Sequence, residues 1–281
     1  MVLNVNFKLR VFSPYILILP TLIYVAFFTG YPIVYAINLA FTGSNPALLQ
    51  VITSPRLREV LFYTTMIIVS VIPIQLAVAI FASLFFINRF KGKELLLYLF
   101  ILPLAISEVA AALLWYTMLS SRGFLNKLLI ELGVISRPIY FFGYEFRDRT
   151  LLAIMLTEIW RATAIVFVII YAGVQMINRE YLEAADVFGF NFWQKLRYVI
   201  LPLLKPSIQT ALIIRTLFAF QIVGPILILG GEYVRVMATE VVYWYSLRMN
   251  PYMASAWAVL IGCIVLVLGS LYIKLIKPLE V

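Results

Sequence analysis

Long apolar stretches alternate with short polar segments along the chain, and each stretch is long enough to cross a membrane. A spanning helix needs roughly 20 mostly apolar residues. Six such stretches occur, at about residues 14–41, 60–88, 95–119, 150–177, 207–229 and 253–273. The pattern predicts an all-α membrane protein in which six transmembrane helices form a single domain over residues 1–281, with both termini on one side of the membrane.

Several of the predicted spans contain proline, which removes a backbone donor and kinks a helix. Pro20 and Pro32 interrupt the first span, Pro73 lies inside the second, and Gly224-Pro225 lies late in the fifth. In lipid, neighbouring helices must satisfy the backbone groups that a kink sets free. Kinked helices therefore favour a bundle with an interior path, although kinks also occur in bundles without one.

The composition of the 281-residue chain agrees with a lipid environment. Hydrophobic residues make up 64% and charged residues 12%, and the mean hydropathy is +1.01, whereas a soluble domain is about half apolar and about a quarter charged. His is absent and Cys263 is the single cysteine. The chain therefore lacks the residues for a zinc centre, an internal disulfide or a Ser-His-Asp triad. We expect no catalytic residue, no metal site and no cofactor bound by this chain.

The net charge of +9 lies mainly in the polar segments between the spans, where basic residues set topology and meet anionic lipid head groups. We attribute the charge to the bilayer and expect no binding of nucleic acid. The distribution of Lys and Arg favours cytoplasmic termini only slightly, and the cluster Arg89–Lys93 in a short loop is its strongest indication. The apolar run after Arg10 is too long for the core of a signal peptide, so we expect it to be retained as the first span.

Residues 178–206 are too polar to span a membrane, yet their pattern is regular. Leu182, Ala185, Phe188, Phe192 and Leu196 recur at spacings of three and four, which is typical of one face of a helix. A glycine at position 189 allows a turn, and Asn191 followed by Gln194 has the pattern of a capping box that starts a second helix. The segment predicts a helix, a turn and a second helix that runs toward Pro202 and Pro206. Such an element is either a pair of helices on the membrane surface or a docking element for a cytoplasmic partner.

A longer motif within this segment carries a resemblance. Glu183-Ala184-Ala185, three further residues, Gly189, nine further residues and then Val199-Ile200-Leu201-Pro202 resemble the EAA loop of binding-protein-dependent ABC importer permeases, with Val199 in place of isoleucine. Other positions are similar to the sugar-permease branch of maltose and glycerol-phosphate importers: Gly92-Lys93, Leu102-Pro103, Gly123 with Asn126 and Leu129, Glu158 with Trp160, and Gly230-Gly231. The chain departs from that branch at Arg179, at Gln221 and at Glu232-Tyr233.

The resemblance implies the fold of a type I ABC importer permease in a prokaryotic cytoplasmic (inner) membrane. It also implies a coupling loop (residues 178–206) that inserts into a cytoplasmic ATPase subunit through Glu183, Ala184, Ala185, Phe188 and Gly189. The implied partners are a second homologous permease, in a heterodimer rather than a homodimer, two cytoplasmic ABC ATPase subunits and an extracytoplasmic solute-binding protein. These 281 residues contain no G-x-x-x-x-G-K-[ST] motif, so we expect ATP-Mg to bind the ATPase subunits.

Four charged residues lie inside the predicted spans, where a charge costs about 2.5–3.5 kcal/mol on insertion scales. They are Glu108, Glu158, Arg161 and Arg215. At about 1.5 Å per residue they fall at similar depths, and an i, i+3 spacing lets Glu158 pair with Arg161. The four charges predict either a purely structural ion-pair network or a polar lining of a translocation path. In the second case Thr216, Phe220 and Gln221 would add hydrogen bonds and stacking for a sugar.

Two functions of different classes remain compatible with the sequence. The first is the transmembrane permease subunit of an ATP-driven, binding-protein-dependent importer for a sugar or a related small polar solute. The second is a secondary transporter driven by an ion gradient, a class that commonly shows inverted repeats and helices broken at the midplane. The EAA-like motif favours the first, because a secondary transporter needs no docking helix. The residues do not decide between a neutral sugar and glycerol phosphate.

Overall fold

The computed structural model describes residues 17–42, 45–87 and 90–275, and all regular structure in these ranges is helical. The helices are α1 (Leu17–Phe41), α2 (Ala47–Thr53), α3 (Pro55–Ile87), α4 (Lys93–Ile101), α5 (Glu108–Leu119), α6 (Phe124–Glu131), α7 (Arg147–Gln175), α8 (Arg179–Val187), α9 (Phe192–Ala219), α10 (Met237–Val242) and α11 (Pro251–Leu275). In the described ranges, five helices are long and apolar enough to cross a membrane, and a bent pair adds a sixth. The all-α class and the six-span pattern are thereby confirmed.

The chain divides into two compact units. Among the described residues, one comprises 17–42, 45–54 and 241–260, and the other comprises 55–87, 90–240 and 261–275. In the first unit α1 and α2 contact each other. In the second unit α7 is central, because it packs against α3, α5 and α9.

The core of the second unit consists of two apolar clusters around α7. The first cluster includes Ile67, Ile154 and Ile226, and the second includes Phe167 and Leu204. Helix packing in lipid depends on close van der Waals contact, which small residues permit. Gly173 of α7 illustrates this, since an added Cβ would lie 2.1 Å from Ser207 Oγ on α9. Helices α3, α7 and α9 thus pack closely against one another.

The prediction of a continuous third span at 95–119 is wrong. Helix α4 ends in a 3-10 turn at Leu102–Ala105, and the helical stretch Lys93–Ala105 makes an angle of 105° with Glu108–Glu131. Pro103 lies in the 3-10 turn, and the Ser107 hydroxyl accepts a hydrogen bond from the Ala110 N–H at 3.2 Å, which caps α5. Because its side chain satisfies a backbone N–H at the start of a new helix, a capping serine allows one helix to end and another to begin. A short polar break of this kind is hard to see in an apolar sequence.

The predicted bounds of the fifth span, 207–229, and of the coupling loop, 178–206, are also wrong. Helix α9 starts at Phe192 and runs through both prolines to Ala219, so the second half of the predicted loop is the beginning of the span. A π-helical turn at Leu196–Ile200 precedes Pro202 and provides room for its ring, and Pro206 lies inside the helix. The chain then leaves helical geometry before a π-helical turn at Ile226–Gly230.

The other spans agree with their predicted positions to within a few residues. Residues 14–16 of the first span and residue 88 of the second lie outside the described residues. Helix α1 passes Pro20 and Pro32 without a break, and a π-helical turn at Ala26–Gly30 comes just before Pro32. Helix α3 likewise continues through Pro73. The prolines of the first two spans are therefore accommodated within continuous helices.

Candidate functional site

The coupling helix α8 and the turn after it form a compact element. The Asn178 side chain caps α8 by accepting a hydrogen bond from the Glu180 N–H at 3.2 Å. Gly189 has φ +71, a left-handed conformation that glycine adopts without steric cost. Asn191 and Gln194 form the predicted capping box, with hydrogen bonds of 2.8 and 2.9 Å at the start of α9. The predicted helix, turn and second helix are confirmed in this order.

The predicted single apolar face of residues 182–196 is wrong, because the turn at Gly189 redirects the chain. Ala185 and Leu196 are buried, whereas Phe188 is 79% and Phe192 is 52% exposed. Glu183 and Ala184 are also exposed. The element is held to α9 by an ion pair between Asp186 and Lys195. Phe188 therefore presents an exposed apolar side chain at the end of α8.

A cavity of about 520 Å³ lies between the coupling helix and the adjacent ends of α3, α4 and α7. Its charged lining residues are Lys93, Arg179, Glu183 and Asp186. Glu183 thus lies at the border between the coupling helix and the helix bundle. Its carboxylate is accessible both from this cavity and from solvent.

The charged residues of the spans form a buried network centred on Glu158. The Arg215 Nη2 donates to Glu158 Oε2 at 2.7 Å, and the Arg161 Nη2 donates to Glu158 Oε1 at 3.0 Å. Gln75 of α3 completes the network: its Nε2 donates to the Glu158 carbonyl at 2.7 Å and its Oε1 accepts from Arg215 Nε at 2.7 Å. Glu158, Gln75 and Arg215 are at most 1% exposed. Sequence analysis missed Gln75, because a single amide inside an apolar span has no distinctive spacing.

Glu108 takes no part in these ion pairs. Its Oε1 accepts a hydrogen bond from the Val223 N–H at 3.0 Å, so it links the break before α5 to the break after α9. A Cβ added at Gly224 would lie 3.1 Å from Glu108 Cγ, which shows how closely the two breaks approach. Non-helical backbone at membrane depth is tolerated where protein buries it or where it lines a water-filled cavity. Of the four charged residues predicted to form one network, Glu158, Arg161 and Arg215 do so. Glu108 lies apart from them and binds backbone instead.

The three other predicted path residues differ in exposure. Thr216 is 2% exposed and its Oγ1 donates to the Tyr272 hydroxyl at 3.2 Å. Phe220 is 6% exposed, and Gln221 is exposed in the break after α9. Of these three side chains, only Gln221 is accessible to a solute in this conformation.

A second cluster of charged residues lies at the N-terminal end of α3, whereas α8 lies near the C-terminal end of that helix. Glu240 is fully buried and its Oε1 accepts from Arg56 Nε at 2.9 Å, with Arg235 Nη1 at 3.7 Å. A cavity of about 480 Å³ adjoins it and is lined by Arg56, Arg235 and Arg147, among others. Sequence analysis missed this cluster because Arg56 and Glu240 lie 184 residues apart in the chain.

In the described part of the chain, no group of three or more His, Cys, Asp or Glu residues is arranged to hold a metal ion.

Comparison with known proteins agrees with this geometry. A family model described as binding-protein-dependent transport system inner membrane component matches residues 52–278. The chain is 27% identical over 277 residues to the trehalose transport system permease protein SugA of Mycobacterium tuberculosis, covering 93% of this chain and 87% of that protein. It is 31% identical over 145 residues to the trehalose/maltose transport system permease protein MalF of Thermococcus litoralis, covering 51% and 48%.

The fold is shared with a solved transporter structure. A crystal structure of a bacterial ABC transporter involved in the import of the acidic polysaccharide alginate matches with a TM-score of 0.82 at 20% identity, over 99% of this chain and 100% of that one. The fold is thus that of an ABC importer permease, and the relatives are transport components rather than enzymes. The chain belongs to the family of inner membrane components of binding-protein-dependent transport systems.

Proposed function

We propose that this chain is one of two permease subunits of an ATP-driven importer for a sugar in a prokaryotic inner membrane, with both termini in the cytoplasm. The complex would contain a second, homologous permease, two cytoplasmic ABC ATPases that bind ATP-Mg, and an extracytoplasmic solute-binding protein. The family match gives no support to the alternative, a secondary transporter driven by an ion gradient.

The observation that carries the proposal is the continuity of the coupling element with a spanning helix. Helix α8 is tied through the Gly189 turn and the Asp186–Lys195 ion pair to α9. Helix α9 then runs without interruption for 28 residues, or about 42 Å at 1.5 Å per residue. A movement of α8 by an ATPase would therefore be transmitted along one continuous helix toward the middle of the membrane.

Such a movement would act on a solute near the C-terminal end of α9. Arg215 ties α9 to α3 and α7 through Gln75 and Glu158, so the three helices move as one body. The break after Ala219 adjoins the break before α5 and forms a natural hinge. Closure of the ATPase dimer would rotate these three helices together. The solute path would then open alternately to the two sides of the membrane, as in other rigid-body transitions.

A sugar is the solute class best supported by the relatives. SugA and MalF are named for transport of trehalose and of trehalose or maltose. The network of Glu158 with Arg161 and Arg215 carries one net positive charge, so the preference for a sugar depends on the relatives. We expect Glu183, Ala184, Ala185, Phe188 and Gly189 to serve ATPase coupling.

Reconstitution tests the proposal. The complex would be purified through a tag on this chain, placed in proteoliposomes with its binding protein, and supplied with radiolabelled trehalose or maltose. We expect uptake that requires ATP on the ATPase side and is unaffected by proton or sodium gradients. Uptake that follows an ion gradient in the absence of ATP would contradict the proposal.

A further inference from the structure

The cavity between α8 and the helix bundle lies at the level of the lipid head groups. Helix α7 contains 29 residues and is therefore about 44 Å long. A bilayer is about 30 Å thick in its hydrocarbon core and about 40–45 Å thick with its head groups. The cavity adjoins Val174 and Gln175 in the last turn of α7 and Ile87 at the end of α3. Its position therefore favours an occupant that comes from the membrane.

The lining of this cavity combines charged and apolar side chains. Arg179, Glu183 and Asp186 recur at spacings of four and three, so they lie on one face of α8. Lys93, the first residue of α4, is half-buried and joins them from the bundle side. The apolar lining residues are Ile87, Tyr171, Val174, Ile177 and Leu182. A volume of about 520 Å³ and a few polar groups among apolar ones are typical of a ligand pocket.

Three of the four charged lining residues have no ionic partner. Among the ion pairs of residues 17–42, 45–87 and 90–275, none includes Lys93, Arg179 or Glu183. Asp186, by contrast, pairs with Lys195. Lysine and arginine are the residues with which proteins bind phosphate groups, and a carboxylate accepts hydrogen bonds from an ammonium group. The unpaired charges therefore match a ligand that joins a phosphate to a primary ammonium.

We propose that this cavity binds the head group of one phosphatidylethanolamine molecule. The phosphate would accept hydrogen bonds from Lys93 and Arg179, the ammonium would donate to Glu183, and the acyl chains would pass beside Ile87 into the hydrocarbon core. Basic pockets between membrane-spanning helices bind lipid head groups in a similar way. Arg179 is a position at which the chain departs from the sugar-permease branch, so the site would be a feature of this chain rather than of that branch. The bound lipid would connect α8 to the ends of α3, α4 and α7.

Lipid retention by the full-length chain tests the proposal without a transport assay, so its outcome is independent of the proposed function. The chain would be reconstituted in vesicles of phosphatidylethanolamine, phosphatidylcholine and phosphatidylglycerol in equal parts, extracted again in mild detergent and analysed by native mass spectrometry. Phosphatidylcholine has no N–H donor on its cation, and phosphatidylglycerol has no cation. We expect about one phosphatidylethanolamine per chain, retained about ten-fold over either other lipid, equivalent to about 1.4 kcal/mol. Equal retention of the three lipids would overturn the proposal.

Matched variants assign the retained lipid to the cavity. Lys93→Gln and Arg179→Gln should each lower the retention of phosphatidylethanolamine about ten-fold. Neither side chain is fully buried, so we expect both variants to fold. Lys91→Gln removes the same charge from an exposed residue outside the cavity lining and should leave retention unchanged. Equal losses in Lys91→Gln and Lys93→Gln would show a general attraction to basic residues and would refute a defined site.

Soluble phosphoethanolamine distinguishes a membrane lipid from a free ligand that carries the same two groups. At millimolar concentration it should not displace the retained lipid, because it lacks acyl chains and gains nothing from burying them. Displacement of the lipid by phosphoethanolamine would assign the cavity to a soluble ligand and contradict the proposal.

Discussion

Replacing Glu158 by glutamine should strongly destabilise the membrane-embedded bundle. Its carboxylate accepts from Arg215 at 2.7 Å and from Arg161 at 3.0 Å. After the change, the guanidinium of Arg215, which is 1% exposed, would have only neutral side-chain partners, the amide of Gln75 and the amide of the introduced glutamine. A buried charge would then lack its counter-ion.

The expected loss of stability depends on whether one partner or both partners of a buried ion pair are replaced. Taking away one partner of a buried ion pair costs about 3–5 kcal/mol, whereas replacing both partners by apolar groups is often neutral. Arg161 adds less to the loss, because part of its side chain is exposed. We therefore expect Glu158→Gln to cost about 3–5 kcal/mol and the double variant Glu158→Gln/Arg215→Met to cost clearly less.

Unfolding by SDS in mixed micelles measures these differences. The four proteins of a double-mutant cycle are compared with Glu145→Gln, the same substitution at an exposed glutamate, which should change stability by no more than about 0.5 kcal/mol. The reasoning predicts a coupling energy of at least about 2 kcal/mol between positions 158 and 215. Losses that simply add in the double variant would refute the view that these residues form one buried network.

Four further changes test other parts of the account. Gly189→Asp forces a left-handed conformation on a residue with a Cβ and should leave the chain inserted while abolishing ATP hydrolysis stimulated by the loaded binding protein; normal stimulation would contradict the turn's role in coupling. Phe188→Ala removes the exposed end of the coupling element and should lower recovery of the ATPase on co-purification by about ten-fold. Gly224→Val should push α5 away and reduce uptake, whereas Gly262→Val, where an added Cβ meets nothing within 4 Å, should not. Asn126→Ala removes three hydrogen bonds to loop backbone and should cost about 1–3 kcal/mol of stability, measurable in the same SDS titration.

Local chemistry explains which features the sequence predicts well. The turn at Gly189 and the cap formed by Asn191 and Gln194 depend on residues within a few positions of each other. The pairing of Glu158 with Arg161 depends on an i, i+3 spacing. The six apolar stretches depend only on the thickness of the bilayer. All of these could be predicted because no distant part of the chain decides them.

Long-range contacts explain what the sequence does not reveal. Gln75 joins the network only because α3 packs against α7, and Glu240 meets Arg56 across about 180 residues. The break before α5 is stabilised in part by the contact of Glu108 with the backbone after α9. The sequence predicts a loop helix that runs toward Pro202 and a separate span from residue 207, but the π-helical turn before Pro202 allows one continuous helix. In each case tertiary structure overrides a local preference.

The central claim is that this chain moves a solute only as part of an ATP-hydrolysing complex, and purification from the native membrane tests it most directly. A tagged chain would be isolated in mild detergent, and every co-eluting protein identified by mass spectrometry. The account predicts one copy of a second permease and two ABC ATPase subunits for each copy of this chain, with ATP hydrolysis that rises when a loaded solute-binding protein is added. Recovery of this chain alone under all nucleotide conditions, with solute uptake driven by an ion gradient, would contradict it.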